Sequence, residues 1–308
     1  MDRFLTLTIF TNVVEKGSFA RAAAALDLSP ATVTEHVQAL EARLNTKLLH
    51  RTTRRLSLTP EGATYVEHCR HILARLEEAD ETLAAHRTSP RGTLRVMTPP
   101  MLATLVLIPR MPKFLERYPD LRVEFTLSGQ APDFVAQNLD LSLQVTMQPD
   151  PGVVFRPLGL CAVRTVATPT YLKRRGVPRT PDDLAKHDII GVRAAPGVLL
   201  SSLRFQHNGR MFTREANSRL VADSGEAQRA AALAHGGIMQ GVQYAVADLL
   251  ESGKLVRVLP EWDWSGPPLG AVHLPNRFLG RKVEVFLDFA REQLAGKISP
   301  YRTDWDNR

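Results

Sequence analysis

A pair of closely spaced helix-start signals places the strongest constraint on how this chain folds. Ser18 is a preferred N-cap residue, and the alanine-rich segment FARAAAAL that follows it favours a short helix. Ser29 followed by Pro30 gives a second cap with proline at the first helical position, so another helix begins directly after a tight turn. This arrangement predicts a helix-turn-helix, and a helical hairpin that is only packed core is the alternative.

The second of these helices has two different faces. An apolar stripe with helical spacing predicts the face that packs inward, and it comprises Val33, Val37, Leu40 and Leu44. The remaining surface and the helix start are left free to contact another molecule. The candidate contact residues there are Ser29, Ala31, Thr32, Thr34, Glu35, His36 and Gln38.

A basic segment rich in hydroxyl groups follows at residues 50–59. Leu56 and Leu58 alternate with polar residues, which predicts a small β-wing. Basic and hydroxyl side chains beside a recognition helix suit contact with phosphate groups. The candidate phosphate contacts are Arg51, Thr52, Thr53, Arg54 and Arg55.

The order of these segments resembles a known family. FLTLTIF from Phe4 onward, GSFARAAAALDLSPATVTEHVQALEARL and LLHRTTRRLSLTPEG resemble the N-terminal winged helix-turn-helix of LysR-type transcriptional regulators. The resemblance implies an all-α winged domain over residues 1–59 that binds double-stranded DNA. The chain departs from the family at Glu35, where Arg or Lys is most common. A carboxylate repels phosphate but can accept a hydrogen bond from cytosine, so the family's base preference is not carried over.

Two further helices are predicted around the motif. One runs from Phe4 to Val14 and ends at Gly17, and a long one begins at Pro60 after its cap and continues to about residue 87. The apolar positions of the long helix follow a heptad-like seam at Val66, Cys69, Leu73, Leu76, Asp80 and Leu83. This helix either lies across its own domain or pairs with the same helix of a second chain. The LysR resemblance implies pairing over residues 60–87, which predicts operators with dyad symmetry.

Length and composition restrict the class of protein. The 308 residues suffice for two or three domains. No apolar run approaches the ~20 residues that a membrane span needs, and the N-terminus lacks a signal-peptide pattern, so a cytoplasmic protein is expected. Cys69 and Cys161 lie far apart, which predicts no disulfide and no metal site; Cys161 is either a buried apolar residue or a redox sensor.

The net charge of +7 is weak evidence for a nucleic-acid partner, and the local clustering of basic residues is more informative. Residues 1–58 contain eight Lys or Arg and five Asp or Glu, whereas residues 59–87 contain three and six. The basic surplus of the C-terminal part suits either an anionic ligand or a solvated surface. The cluster that favours nucleic acid is Arg43, Lys47, Arg51, Arg54 and Arg55.

After a polar hinge at residues 88–92, the pattern changes to alternating strands and helices. Strands are predicted at 93–97, 121–127, 139–145, 160–168, 189–192, 237–239, 255–259 and 269–273. Helices are predicted at 102–118, 171–175, 226–234, 245–250 and 281–294, with further helices between the strands near 139–168. Such alternation predicts a largely parallel sheet with helices on its faces.

This part of the chain also resembles the effector-binding region of the LysR family. The matching segments are FLERYPDLRVEF, DLSLQV, TVATPTYL, AAALAHGGI and LESGKLVRVL. The resemblance implies a two-lobed α/β fold like type II periplasmic binding proteins over residues 93–308. Lobe one is expected at 93–167 and 267–308 and lobe two at 168–266, with crossing strands near Val166 and Pro267. Gln144 stands where the family commonly has a basic residue.

Ligands of open α/β sheets bind beyond the carboxyl ends of strands and near helix N-termini. Residues at such positions are Thr98, Pro100, Met101, Ser128, Gly129, Gln130, Gln144, Thr146 and Ser224. Each one alone is better explained as a loop or cap residue, but together they predict a site of neutral donors for a small anion or organic acid.

The sequence contains no catalytic signature. HExxH, GxSxG and phosphate-binding glycine loops are absent, so we predict no enzyme, no cofactor and no metal. We predict a transcriptional regulator that binds DNA and a small-molecule effector as a homodimer or homotetramer, with RNA polymerase as a further candidate partner. The alternatives are a DNA-binding protein without a ligand and, less well matched, a solute-binding protein.

Overall fold

The computed structural model describes residues 2–51, 56–83, 89–195, 198–200, 202–215, 218–275 and 279–301. The chain divides into two compact units, one built on residues 1–88 and the other on residues 89–132 and 139–308. Within the described ranges, no helix combines the length and the apolar character that crossing a membrane requires.

The N-terminal unit confirms the predicted helix starts. Its elements are α1 (Arg3–Lys16), α2 (Phe19–Leu26), α3 (Pro30–Leu44), β1 (Leu49–Arg51), β2 (Leu56–Leu58) and α4 (Pro60–Leu83). Gly17 ends α1 in the left-handed conformation, with φ of 61°. Ser18 Oγ accepts a hydrogen bond from the amide of Arg21, and Ser29 Oγ accepts one from the amide of Thr32 at 3.1 Å.

A single apolar core connects these helices. Its fully buried members are Ile9, Phe10 and Val13 of α1, Ala22 and Ala23 of α2, and Val33, Val37 and Leu40 of α3. The small alanines let α2 pack closely against its neighbours. Val66 and Cys69 of α4 belong to the same core, being 2% and 0% exposed. The first half of the predicted pairing seam therefore packs inside its own domain.

The second unit contains more strands than the sequence predicts. Its first half comprises β3 (Gly92–Thr98), α5 (Pro100–Leu102), α6 (Met111–Arg117), β4 (Leu121–Leu127), β5 (Leu141–Val145), β6 (Val154–Leu160), β7 (Val163–Ala167) and α7 (Pro169–Arg175). The remainder comprises β8 (Ile190–Ala195), β9 (Val198–Leu200), β10 (Ser202–His207), β11 (Arg210–Glu215), β12 (Leu220–Ala222), α8 (Gly225–Leu233), β13 (Met239–Val242), α9 (Gln243–Glu251), β14 (Val256–Arg257), β15 (Pro268–His273) and α10 (Arg281–Leu294).

The helix predicted at 102–118 is interrupted. A π-helical turn at Ala103–Leu107 and a 3₁₀ turn at Ile108–Arg110 separate α5 from α6. Pro109 and Pro112 explain the interruption, because proline has no amide hydrogen to donate to the preceding turn. No helix lies between β4 and β5 or between β5 and β6, so the helices expected there are absent from this described part of the chain.

The sheet of lobe one is mixed, so the expectation of a largely parallel sheet is wrong. Its strand order is β4-β3-β5-β15-β6. β3 pairs in parallel with β4 and β5, whereas β15 pairs antiparallel with β5 and β6. The antiparallel half of the sheet is due to β15, which comes from the C-terminal part of the chain and runs opposite to both of its neighbours. Leu94, Val96, Leu141 and Phe286 of α10 are fully buried in the core of this lobe.

Lobe two begins earlier than expected. β7 pairs antiparallel with β13 and β14, which places it in the sheet of lobe two, although the sequence assigned residues up to 167 to lobe one. The chain therefore crosses between lobes near Cys161 and returns near Pro267. These crossing segments are hydrogen-bonded, since the Cys161 amide donates to the Pro267 carbonyl at 2.9 Å and the Val163 amide donates to Trp264 at 3.0 Å.

Candidate DNA-binding and effector sites

Helix α3 presents the surface expected of a recognition helix. Ala31, Glu35 and Gln38 are exposed on it. The hydroxyl groups of the first turn are already engaged: Thr32 Oγ1 lies 2.8 Å from Ser29 Oγ, and Thr34 Oγ1 donates to the Pro30 carbonyl at 2.8 Å. Exposed side chains without such internal bonds are the ones available to a base edge, which favours Glu35 and Gln38.

His36 differs from its expected position on the exposed face. The side chain is 9% exposed, and its Nδ1 atom lies 2.9 Å from Thr6 Oγ1 on α1. Since Thr6 Oγ1 also donates to the Asp2 carbonyl at 2.8 Å, the imidazole is part of a polar link between α1 and α3. The helical period explains the difference, because position 36 lies beside Val33 and Val37 and so turns towards α1.

A buried carboxylate fixes the connection from α3 to the wing. Glu41, only 3% exposed, accepts hydrogen bonds from the amides of Leu48 and Leu49 at 2.9 and 3.2 Å and from Lys47 Nζ at 3.0 Å. Burial raises the pKa of Glu41, but the bonds from Lys47 and the two amides outweigh it, so the pKa is lowered overall. The carboxylate is therefore charged at neutral pH and positions the start of β1.

The wing itself is a two-stranded antiparallel sheet in which Leu49 pairs with Leu58 and Arg51 with Leu56. This confirms the predicted β-wing. The candidate phosphate contacts Thr52, Thr53, Arg54 and Arg55, together with the Arg51 side chain, lie outside the described residues. The wing joins α4 at Thr59, whose hydroxyl donates to the Lys47 carbonyl and accepts from the Gly62 amide.

Only part of the predicted seam of helix α4 is exposed. Because Val66 and Cys69 are buried in their own domain, they are not available for pairing. Ile72 and Leu76, four residues apart and therefore on one face, are 46% and 38% exposed. Asp80 and Leu83 of the predicted seam have side chains outside the described part of the structure. An apolar surface that remains available on α4 is thus centred on Ile72 and Leu76.

Lobe one contains a cavity of about 590 Å³ at the carboxyl ends of its strands, here called the polar cavity. It brings together the predicted residues Ser128, Gly129, Gln130, Gln144 and Thr146, which confirms that these strand ends converge. Residues not anticipated from the sequence complete it, and they include Gln148, Asp150 and Tyr244. The side-chain amides of Gln130 and Gln144 have no hydrogen-bond partner among the described residues.

The other predicted effector residues do not line this cavity. Thr98 is fully buried, and its Oγ1 atom has no hydrogen-bond partner in the described structure. Pro100 begins α5, and Met101 packs against Gly225, where an added Cβ atom would lie 2.6 Å from the Met101 sulfur. Ser224 caps α8 and its hydroxyl donates to Glu226 at 2.8 Å. The structure therefore does not bring these four residues to the polar cavity.

A second cavity of about 440 Å³ lies where the two lobes meet, here called the cleft cavity. It shares Val145, Thr146 and Val242 with the polar cavity. Most of its remaining lining comes from lobe two: Val163, Ile189, Ile190, Gly191, Val192, Ser202, Leu203, Arg204, Ser218, Gln228, Gln240, Gly241 and Trp264. The sequence interpretation missed these residues, since it did not predict the β10–β11 hairpin that contributes Ser202 and Arg204.

Both cysteines are buried free thiols. Burial raises the pKa of Cys69 and of Cys161 to about 12, so neither thiol forms a thiolate near neutral pH. Both side chains are 0% exposed. This favours the interpretation of Cys161 as a buried apolar residue over a redox sensor.

Comparison with known families agrees with this architecture. Residues 4–63 match the model of the bacterial regulatory helix-turn-helix protein of the lysR family. Residues 87–295 match the model of the LysR substrate binding domain. Together the two models cover most of the chain.

Several whole proteins are similar along their full length. The HTH-type transcriptional regulator YhjC of Escherichia coli is 36% identical over 304 residues, which covers 98% of this chain and 99% of the relative. The solved structure of CrgA, a LysR-type transcriptional regulator from Neisseria meningitidis, has a TM-score of 0.61 at 32% identity and covers 96% of this chain and 99% of its own.

A further solved structure supports the same two-part organisation. The full-length virulence activator AphB of Vibrio cholerae has a TM-score of 0.57 at 26% identity, with 94% of this chain and 99% of AphB covered. A winged helix-turn-helix followed by a two-lobed domain is therefore shared along the whole length. This chain belongs to the LysR family of DNA-binding regulators.

Proposed function

We propose that this protein is a transcriptional regulator that binds dyad-symmetric operator DNA as a homodimer or homotetramer and changes its DNA-bound geometry when it binds an organic acid. The observation that carries the DNA-binding part is helix α3, which begins after its N-cap residue Ser29, exposes Glu35 and Gln38, and is followed by a two-stranded wing. Exposed polar side chains on such a helix can reach base edges in the major groove, and the wing can reach phosphates.

Dyad symmetry follows from the proposed pairing of α4. Val66 and Cys69 of this helix are buried in the core of the unit, whereas Ile72 and Leu76 form an exposed apolar strip. Burying that strip against the same helix of a second chain removes apolar surface from water and relates two α3 helices by a two-fold axis. Two such helices bind half-sites separated by about one or more turns of DNA.

The effector is proposed to be a small anion or organic acid, and the cavity charges favour the organic acid. The polar cavity offers the free amides of Gln130 and Gln144, but Asp150 also lines it and no Lys or Arg does so among the described residues. A carboxylate beside an anion without a compensating cation is unfavourable. The free amides and the carboxylate of this cavity both suit a ligand whose neutral polar part lies here and whose charged group lies elsewhere.

The alternative is a DNA-binding protein that needs no ligand. Against it stand two ligand-sized cavities in the second unit, of about 590 and 440 Å³. A bacterial regulator that acts on DNA works in the cytoplasm, and RNA polymerase is its natural protein partner there. We propose both on the basis of family membership.

The DNA-binding assignment is tested by the salt dependence of affinity. The sequence predicts that Arg54 contacts phosphate, so Arg54→Ala should weaken binding to any duplex and reduce the slope of log affinity against log salt by about one. Lys113→Ala is the matched control, since Lys113 is an exposed cation of the second unit and its loss should leave the slope unchanged. An Arg54→Ala protein with the wild-type slope would contradict the wing assignment.

A further inference from the structure

We propose that a groove beside the β10–β11 hairpin of lobe two is a docking site for an extended acidic segment of a partner protein, in which one apolar side chain lies between two carboxylates at alternate positions. The groove has a volume of about 610 Å³ and is here called the hairpin groove. It is lined by His207, Asn208, Arg210, Phe212, Arg214 and Trp262. It shares no lining residue with the polar cavity or the cleft cavity, so it is a separate site.

One face of the hairpin carries a row of alternating cations and an aromatic ring. Side chains at every second position of a strand share a face, so Arg210, Phe212 and Arg214 of β11 lie on the same side. His207, which pairs with Arg210 across the turn, belongs to this face as well. Neighbouring members of the β11 row are separated by about 6.7 Å along the strand, which is twice the rise per residue.

Three rings in contact with one another form the floor of the groove. The Trp262 indole is stacked on the His207 imidazole, with ring centroids 4.1 Å apart, and meets the Phe212 ring edge-on at 5.5 Å. Phe212 and Trp262 also pack against the buried core of lobe two. Because these rings are already held in place, a partner that binds them loses little of its binding free energy to ordering them, and Trp is enriched among residues that dominate such interfaces.

The charge of the groove favours an acidic partner. Two arginines line it, and no Asp or Glu is among the described residues of its lining. Arg210 is exposed, and its guanidinium group makes no hydrogen bond or ion pair with another residue that the structure describes. Arg214 lies over the Phe212 ring at 5.0 Å, and its Nε atom donates to the exposed carboxylate of Asp182. Such an exposed ion pair contributes little stability, so a carboxylate of a partner can replace Asp182 there.

The spacing of the β11 row specifies the chemistry of the partner segment. An extended peptide that lies along β11 presents its own alternate side chains at the same interval of about 6.7 Å. A segment of the form acidic–x–apolar–x–acidic therefore brings its carboxylates to Arg210 and Arg214 and its apolar side chain to the aromatic floor. Guanidinium groups bind carboxylates through paired hydrogen bonds, and burial of the apolar side chain adds stability. A DNA backbone brings charge but no apolar side chain to the centre of the row, so the aromatic floor favours a peptide.

The test measures the binding of three fluorescently labelled peptides to the full-length protein by fluorescence anisotropy. The probe peptide is Ser-Glu-Ser-Phe-Ser-Glu-Ser. The uncharged peptide has Gln in place of both Glu residues, and the rearranged peptide, Ser-Ser-Glu-Phe-Glu-Ser-Ser, keeps the composition but puts Phe and Glu on opposite faces. We expect the probe peptide to bind at least about fivefold more tightly than either control, because only it matches both charges and the ring in one register. Equal affinity of the uncharged peptide would overturn the role of the arginines, and equal affinity of the rearranged peptide would overturn the alternating register.

Variants locate the binding within the hairpin groove. Arg210→Gln should weaken binding of the probe peptide by about threefold or more and leave binding of the uncharged peptide unchanged, since only the probe peptide loses an ion pair. Arg210 is exposed, so this change does not disturb the core of the lobe. Arg219→Gln is the control, because Arg219 is an exposed arginine of the same lobe that does not line the groove. Wild-type affinity for the probe peptide in Arg210→Gln would overturn the proposal.

The same variant separates the other candidate occupants of the groove. Arg210→Gln should leave both the affinity for a labelled random-sequence duplex and the oligomeric state unchanged, as measured by fluorescence anisotropy and sedimentation velocity. Weaker binding of the duplex would assign the groove to DNA, and a changed oligomeric state would assign it to a second copy of this chain. Either of these results would overturn the proposal.

Discussion

The two units of this protein differ in how their polar groups are satisfied. In the N-terminal unit, hydroxyl and carboxylate groups are engaged by nearby backbone: Ser18 and Ser29 cap helices, and Glu41 binds the amides of Leu48 and Leu49. In the second unit, Ser218 and Trp264 line a cavity with buried donors that have no hydrogen-bond partner among the residues the structure describes. The first arrangement fixes one shape, whereas the second leaves binding capacity for another molecule.

This difference matches two separate tasks. A surface that is to contact base edges must keep its geometry without a ligand, since small misplacements lose hydrogen bonds. A two-lobed domain with unused donors gains stability when a ligand supplies the missing acceptor. A ligand that binds one arrangement of the lobes more tightly shifts the equilibrium towards that arrangement. The shift in free energy is no larger than the difference between its binding free energies for the two arrangements.

The largest expected effect concerns the exposed strip of α4. Ile72→Asp should leave the N-terminal unit folded but abolish pairing, because it puts a charge on a surface that we propose is buried between two chains. Loss of bivalency should weaken operator binding by about a hundredfold or more. Sedimentation velocity gives the oligomeric state, and a dimer that persists would show that the strip is placed wrongly.

Val66→Asp is the contrasting variant on the same helix. Val66 is 2% exposed within its own domain, so an unpaired carboxylate there should unfold the N-terminal unit itself. Circular dichroism should therefore show lost helix in Val66→Asp and retained helix in Ile72→Asp. An equal loss of helix in the two variants would contradict the assignment of Val66 to the core and of Ile72 to the pairing surface.

Glu41→Gln should have the next largest effect, on stability. The pKa of Glu41 is lowered from its ordinary value of 4.5, so its charged form stabilises the fold above about pH 4.5 and that contribution disappears as the pH falls through the folded pKa. The variant should lose ~1–3 kcal/mol of unfolding free energy at pH 7. Denaturation at pH 7 and at pH 3 should show a smaller difference in acid.

The control for this experiment is Glu35→Gln. Glu35 is exposed on the same helix, so its replacement should change the unfolding free energy by no more than ~0.5 kcal/mol at either pH. A pH dependence in Glu35→Gln equal to that of Glu41→Gln would mean that the carboxylate–amide bonds of Glu41 are not the cause.

The smallest expected effect is at Thr98, which the sequence placed in the effector site. Since Thr98 Oγ1 is buried and has no hydrogen-bond partner in the described part of the chain, Thr98→Val should be neutral or stabilising by up to ~1 kcal/mol and should not change ligand affinity. The matched variant Thr165→Val removes a hydroxyl that accepts from Gln240 and should be destabilising. Reduced ligand binding in Thr98→Val would restore the sequence-based assignment.

Local signals in the sequence predicted the N-terminal unit well. Caps and proline positions act over a few residues, which is why the bounds of α2 and the starts of α3 and α4 were predicted where the structure has them. His36 shows the limit of such reasoning. Whether a polar side chain at the edge of an apolar stripe turns inward depends on a partner such as Thr6, which is distant in sequence.

Pairing between distant strands was less predictable in the second unit. β6 and β7 follow each other closely but belong to different sheets, and only contacts with β15 and β13 decide this. The β10–β11 hairpin, by contrast, carried a signal that was overlooked. Asn208 and Gly209 have φ of 50° and 76° between alternating strands, as expected for an Asn-Gly hairpin turn. Recognising it would have placed Arg204 on a strand before the structure was known.

The central claim is that α3 reads DNA as one of a symmetric pair, and selection of bound sequences from a random duplex library tests it most directly. The full-length protein should enrich an inverted repeat whose half-sites are centred about one helical turn or a multiple of it apart. Gln38→Ala should relax the preference at the same position in both half-sites. Enrichment of a single asymmetric half-site, or of no sequence at all, would contradict the claim.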